Sequence, residues 1–106
     1  TDTIDYYDSG TASNATVFVK RIWKQKIRID GIAHKLTSGT CTIQLSVDGT
    51  VVGATHNVTG TGVDATLGTA IEIDGTSASK RLELAITSAS SPVGLEVGLS
   101  AATVNV

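Results

Sequence analysis

The sequence predicts an all-β chain, an antiparallel β-sandwich of about eight strands with a jelly-roll-like outline. Three observations predict it. Apolar and polar residues alternate with a period of two over much of the chain, as in SGTCTIQLSV (38–47). Asp48-Gly49 and Asp74-Gly75 punctuate the alternating runs, and Asp-Gly between two such runs is a strong hairpin signal. No segment sustains the roughly 3.6-residue rhythm of an amphipathic helix. An immunoglobulin-like sandwich is the alternative, weakened because a chain with one cysteine lacks the pair that packs on a tryptophan.

Residues 1–13, TDTIDYYDSGTAS, read as an irregular acidic arm, which leaves 14–106 as the sandwich domain. The β-branched and aromatic run from Ala15 predicts a strand through Val19. In IWKQKIRID (22–30), Trp23, Gln25, Ile27 and Ile29 share one face, while Lys24, Lys26 and Arg28 share the other. Asp30-Gly31 closes that strand, and IAHKL (32–36) continues it or forms a short strand of its own. The hairpin follows, with strands near 40–47 and 50–58 and with Cys41, Ile43, Leu45 and Val47 facing inward. Residues 59–69 read as a Gly/Thr-rich loop with a short edge strand, and 70–74 as a strand ended by Asp74-Gly75. In KRLELAITS (80–88), Leu82, Leu84 and Ile86 point inward. Ser90-Ser91-Pro92 marks a break before VGLEVGL (93–99). Val104 and Val106 then fall on the opposite parity, so the register slips near 100–103, at a bulge or short turn before a last edge strand. The similar segments IRIDGIA (27–33) and IEIDGTS (71–77) read as one strand-end turn used twice.

At 106 residues the chain suffices for one domain with one core. Its 41% apolar and 17% charged content excludes a disordered chain, which combines low hydrophobicity with high charge. The first residue is Thr1, so a processed product or a segment of something longer is expected. No run approaches the roughly 18 apolar residues of a membrane-spanning helix, and membrane insertion is not expected. Cys41 shares its face with Ile43 and Leu45 and reads as a small buried hydrophobe.

Chemistry is sparse. His34 and His56 lie in no nucleophile, metal or phosphate motif; His34 reads as a surface residue beside Lys35, and His56 as half-buried at a strand end. Glu72 and Asp74 read as an outward acidic row, not a glycosidase pair. Asp48, Asp64 and Asp74 lack calcium-loop spacing. Catalytic residues, metal ligands and cofactors are therefore not expected.

Net charge is −2, yet six of the eight basic residues lie between Lys20 and Lys35. Lys24, Lys26 and Arg28 stand about 7 Å apart along one face, near a phosphate repeat. A nucleic-acid partner is disfavoured all the same, because that face has no interleaved aromatic platform and the chain is acidic overall. Two readings remain for the row: protection of an exposed edge strand, or contact with an acidic subunit surface such as that of Asp2, Asp5 and Asp8. Trp23 and Phe18 are expected in the core, whereas Tyr6 and Tyr7 are free to anchor a sugar or a subunit. The candidate ligand or subunit contacts are thus Tyr6, Tyr7, Lys24, Lys26 and Arg28.

SGTCTIQLSVDGTVVG, a Thr/Ala/Gly-rich span, a Lys-Arg-Leu-x-Leu strand and TSASSPVGLEVGL follow one another here. In that order they resemble β-sandwich modules of tailed-bacteriophage appendages, the tail-fibre and head-fibre proteins, and of related gene-transfer-agent particles. The elements that carry the resemblance are Gly39–Thr42, Asp48-Gly49, Lys80–Ile86 and Ser88–Pro92, within 16–100. The resemblance implies a non-enzymatic virion component on the particle surface, extracellular after release and often a homotrimer. Its partners would be other virion proteins and host-surface polysaccharide. No binding residue carries over, because the matching segments are framework strands. A carbohydrate-binding module of a polysaccharide-degrading enzyme is the alternative, and a depolymerase is discounted for want of a convergent acid/base pair.

Overall fold

The computed structural model describes residues 2–104. Seven strands are present among them: β1 (Asp2–Thr11), β2 (Ala15–Ile22), β3 (Lys26–Lys35), β4 (Ser38–Val47), β5 (Thr50–Val58), β6 (Val63–Asp74) and β7 (Lys80–Val104). All pairings are antiparallel. The expected all-β sandwich is therefore what forms, with fewer and longer strands.

The 25-residue β7 organises everything else. Along one side of it run β2 and then β1, paired with Lys80–Ile86 and Val93–Ala101. Along the other run β4 and β3, paired with Leu82–Val93 and Glu96–Val104. Outside these, β5 pairs β4 and β6 pairs β3. The chain is thus a ribbon four strands wide, folded once across its middle. The fold brings both ends of β7 to one tip, since Ile22 pairs with Lys80 and Lys26, only a short turn later, pairs with Val104. Two layers result, β5-β4-β7-β2 and β6-β3-β7-β1.

The fold line is stitched through the backbone. Ala12 N–H donates to the Pro92 carbonyl (2.9 Å), Leu36 N–H to Thr59 (2.9 Å) and Thr37 N–H to Val93 (2.8 Å). The Asn14 side chain accepts from Ala89 N–H at 2.9 Å. Ser88 and Ser91 take left-handed φ of 50° and 47°, which turns β7 without ending it. Ser90-Ser91-Pro92 is accordingly a bend inside one strand, not the expected break.

Between the layers the core is aliphatic. Ile22, Ile43, Leu45, Leu82 and Leu84 come from one layer, and Ile29, Ile32, Leu95 and Leu99 from the other, all at most 2% exposed. Burying such a side chain contributes about 1.5–3 kcal/mol. Cys41 belongs to this core at 3% exposure, and burial pushes its thiol pKa up.

Four expectations are corrected. The acidic start is strand β1: Ile4 is buried, Thr3 and Asp5 are exposed, and the β7 edge satisfies its backbone. Asp30-Gly31 is a β-bulge within β3, because the register shifts between Ile29 and Gly31 against both neighbours. That one extra residue switches the inward parity from Ile27 and Ile29 to Ile32, His34 and Leu36. The slip expected near 100–103 does not occur in β7, which keeps Val97, Leu99 and Ala101 buried; the irregularity at that level lies in β3. Finally, Trp23 and Phe18 are 44% and 46% exposed, not core. Trp23 sits in the β2–β3 turn beside Lys24, whose φ is 59°, and Phe18 lies opposite Glu83 on an outer face.

Candidate functional site

The outer face of β6-β3-β7-β1 holds a groove of about 560 Å³. Register explains its floor. Ala33 pairs with Gly98 on one side and Asp64 on the other, and Gly98 pairs with Asp5. Two neighbouring positions in that row therefore carry almost no side chain. The next row joins Tyr7, Glu96 and Lys35. Strand alternation points both rows away from the buried Ile32, His34, Val97 and Leu99. The walls are thus Tyr7, 62% exposed, and the charged side chains of Asp5, Asp64, Glu96 and Lys35. Three carboxylates face one amine. The Tyr6 phenol pKa is raised by burial and then by Asp8.

Two members of the basic row stand beside acidic positions of the neighbouring strand. Lys26 stands opposite Asp74 and Arg28 opposite Glu72, so the two similar segments pair with each other. Arg28 Nε also meets Asp30 at 3.2 Å. The Asp74 carboxyl is held below the usual carboxylate range by the Thr76 hydroxyl and Thr76 N–H, with Lys26 and Lys80 adding to the effect against a small desolvation. Lys24 departs from the row: it sits on the β2–β3 turn, its Nζ 5.9 Å from the Trp23 ring centroid. Of the expected contacts, Tyr7 and Tyr6 both line the groove, Tyr6 also packing against the core, and Lys24 stands at the far tip.

Glu83 closes the β4–β5 hairpin. Its carboxylate accepts from Gly49 N–H (2.8 Å), the Ser46 hydroxyl (3.4 Å) and Arg81 Nε (3.3 Å). Arg81 in turn lies 4.6 Å from the Phe18 ring centroid.

His34 is buried at 6% exposure, contrary to the surface position expected for it, because the Asp30 bulge turns even-numbered residues inward. Its ring lies 5.9 Å from that of His56, and its Nδ1 has no hydrogen-bond partner among the described residues. Burial, then the neighbouring His56, lowers the His34 pKa. A folded-state value below the ordinary 6.5 means that the unfolded chain takes up the proton first. Stability is then full above pH 6.5 and falls as the pH drops from there through the lowered folded value. Urea midpoints measured from neutral to acid pH are expected to show this slope, and His34→Leu to flatten it.

Among the described residues, no group of three or more His, Cys, Asp or Glu side chains is placed to hold a metal ion. No helix among the described residues is long and apolar enough to cross a membrane.

No protein-family model matches the chain, and no curated protein matches it. Among solved structures it is similar to a chain of the T13 viral particle of infectious bursal disease virus, at 17% identity and a TM-score of 0.45, over 92% of this chain and 30% of that one. A second similar chain comes from the Gt strain of the same virus, at 13% identity and a TM-score of 0.41, over 95% of this chain and 30% of that one. This protein thus spans under a third of the length of those chains. Superpositions that loose carry no argument about what it does.

Proposed function

We propose that the chain is a structural, non-enzymatic module of a phage or phage-like virion, of the fibre, spike or decoration kind. It works through contact with copies of itself, a trimer first among them, and with other virion proteins at the particle surface. The observation that carries this reading is the outer face of β5-β4-β7-β2. Its middle is built from uncharged Thr42, Gln44, Ala85 and Thr87. Phe18 and Val51, 46% and 52% exposed, stand at opposite margins of one cross-strand row. Glu83 within that row is bound to the hairpin and to Arg81. A broad face of low charge with apolar margins suits burial against neighbouring copies. The resemblance of 16–100 to virion appendage modules points the same way.

Sedimentation velocity tests it. The wild type is expected to assemble at high micromolar concentration, and Phe18→Asp with Val51→Asp to lose the closed oligomer. A wild type that stays monomeric there sinks the reading.

The second reading, a carbohydrate-binding module, is favoured by the exposure of Trp23. It expects glycan binding that Trp23→Ala abolishes, scored on a glycan array. Attachment of a virion to host polysaccharide would appear in the same experiment.

A further inference from the structure

We propose that the Trp23-Lys24 turn of one copy seats in the acidic groove of a second copy, so that oligomers join head to tail. This rests on the self-assembling reading above and adds a second contact, made by the opposite layer.

Position comes first. The turn lies just beyond the row in which Lys26 pairs with Val104, whereas the groove is centred on the row of His34 and Val97. Seven residues of strand separate those rows, about 23 Å along the layer. A copy cannot fill its own groove with its own turn, so any contact between them is made between molecules.

Charge is the second observation. Asp5, Asp64 and Glu96 outnumber Lys35 in the groove. At the tip, Lys20, Arg21 and Lys24 have no ion-pair partner among the described residues. The excess charges are opposite in sign and of similar size, which favours one orientation of encounter and disfavours tip-to-tip or groove-to-groove approach.

Shape is the third. Trp23 is a large side chain held 44% exposed, with the Lys24 ammonium alongside its ring. The groove offers the low Ala33-Gly98 floor for an indole, the Tyr7 ring as a wall, and carboxylates for the amine. Trp and Tyr are enriched among residues that dominate interface energetics. The turn is also fixed before contact: Lys24 N–H donates to the Gly75 carbonyl at 2.9 Å and Gly75 N–H to Gln25 at 2.8 Å. A rigid knob loses little freedom on docking. Because knob and groove are different surfaces, each docked copy leaves one of each unused, and the contact propagates until it closes as a ring or continues as a fibre.

Sedimentation velocity at low and high salt supplies the test, on the wild type and on two charge-reversed variants. Lys20→Glu with Lys24→Glu makes both knob and groove acidic; Asp64→Lys with Glu96→Lys makes both basic. The wild type is expected to grow past its closed oligomer with concentration, and added salt to reverse the growth. Each variant alone is expected to stop at the closed oligomer, with about tenfold or greater loss in the association constant for growth. An equimolar mixture of the two is expected to grow again, since each now fits the other. Trp23→Ala is expected to stop growth with the charges left in place. Growth unchanged in the variants, or a mixture that fails to restore it, overturns the proposal while leaving the closed oligomer standing. A groove variant that loses binding on a glycan array but still grows overturns it in favour of a sugar site. A monomeric wild type removes both this contact and the reading beneath it.

Discussion

Replacing Gly39 with Ala is expected to destabilise the protein by several kcal/mol, enough to leave much of it unfolded at room temperature. Gly39 has φ +77°, where an L side chain costs about 1–2 kcal/mol from its own backbone. A β-carbon there would also overlap the Ser91 carbonyl group, with the Ser90 oxygen close by. Both obstacles are main chain, and both belong to the bend of β7, so neither can rotate aside. Relief would mean moving the fold line, along which four stretches of backbone are stitched together. The comparison is Gly49→Ala. Gly49 has φ +84° but nothing within 4 Å of the added carbon, so its cost is the backbone term alone, about 1–2 kcal/mol. Urea denaturation of the two variants separates local strain from collision. Equal losses would mean that the crowding at Gly39 counts for nothing.

Leu84→Ala is expected to cost about 3–5 kcal/mol, the range for deleting a fully enclosed leucine side chain. Leu84 is 0% exposed and lies in β7 between Val17 of β2 and Leu45 of β4. Neighbours that are themselves hydrogen-bonded strands cannot collapse into the space it leaves, so the loss falls toward the upper part of that range. Each kcal/mol shifts the melting temperature of a domain this size by about 4–8 °C. Val51→Ala, which trims a side chain 52% exposed, is expected to change the melting temperature little.

The hairpin of β4 and β5 was legible because its signals are local: regular alternation up to Asp48-Gly49 and a second apolar run after it. The aliphatic core was legible for the same reason, since Leu82, Leu84 and Ile86 keep one parity and Leu95, Val97 and Leu99 keep the other, each run on its own side of the Ser88–Pro92 bend. Three features escaped local reading. Asp30 adds one residue to β3, and only the partner register distinguishes that bulge from a turn. Sequence alone therefore left His34 on the surface and made a terminus of Asp30-Gly31. β1 is an edge strand with a polar outer row, and its Thr3, Asp5 and Tyr7 disguise the buried Ile4 between them. The groove depends on Ala33 meeting Gly98 across strands far apart in the chain, flanked by Asp5 and Asp64 from two more. Each contributing segment is unremarked in isolation. Only strand order, which alternation does not encode, assembles them, and it also lays Asp74 and Glu72 beside Lys26 and Arg28.

A chain synthesised from its first residue delivers the middle of this molecule last. β1 through β6 emerge before Lys80, yet neither layer is continuous until Lys80–Val104 slides between β2 and β4 and between β1 and β3. On the ribosome β4 can hold β5 and β3 can hold β6, but β1 and β2 have no partner strand, and apolar faces stay open to water. Closure then joins partners widely separated in sequence, which sets the refolding rate in the slow, millisecond-to-second class of all-β domains. The two layers also lack independent centres, so they assemble and come apart as one cooperative unit.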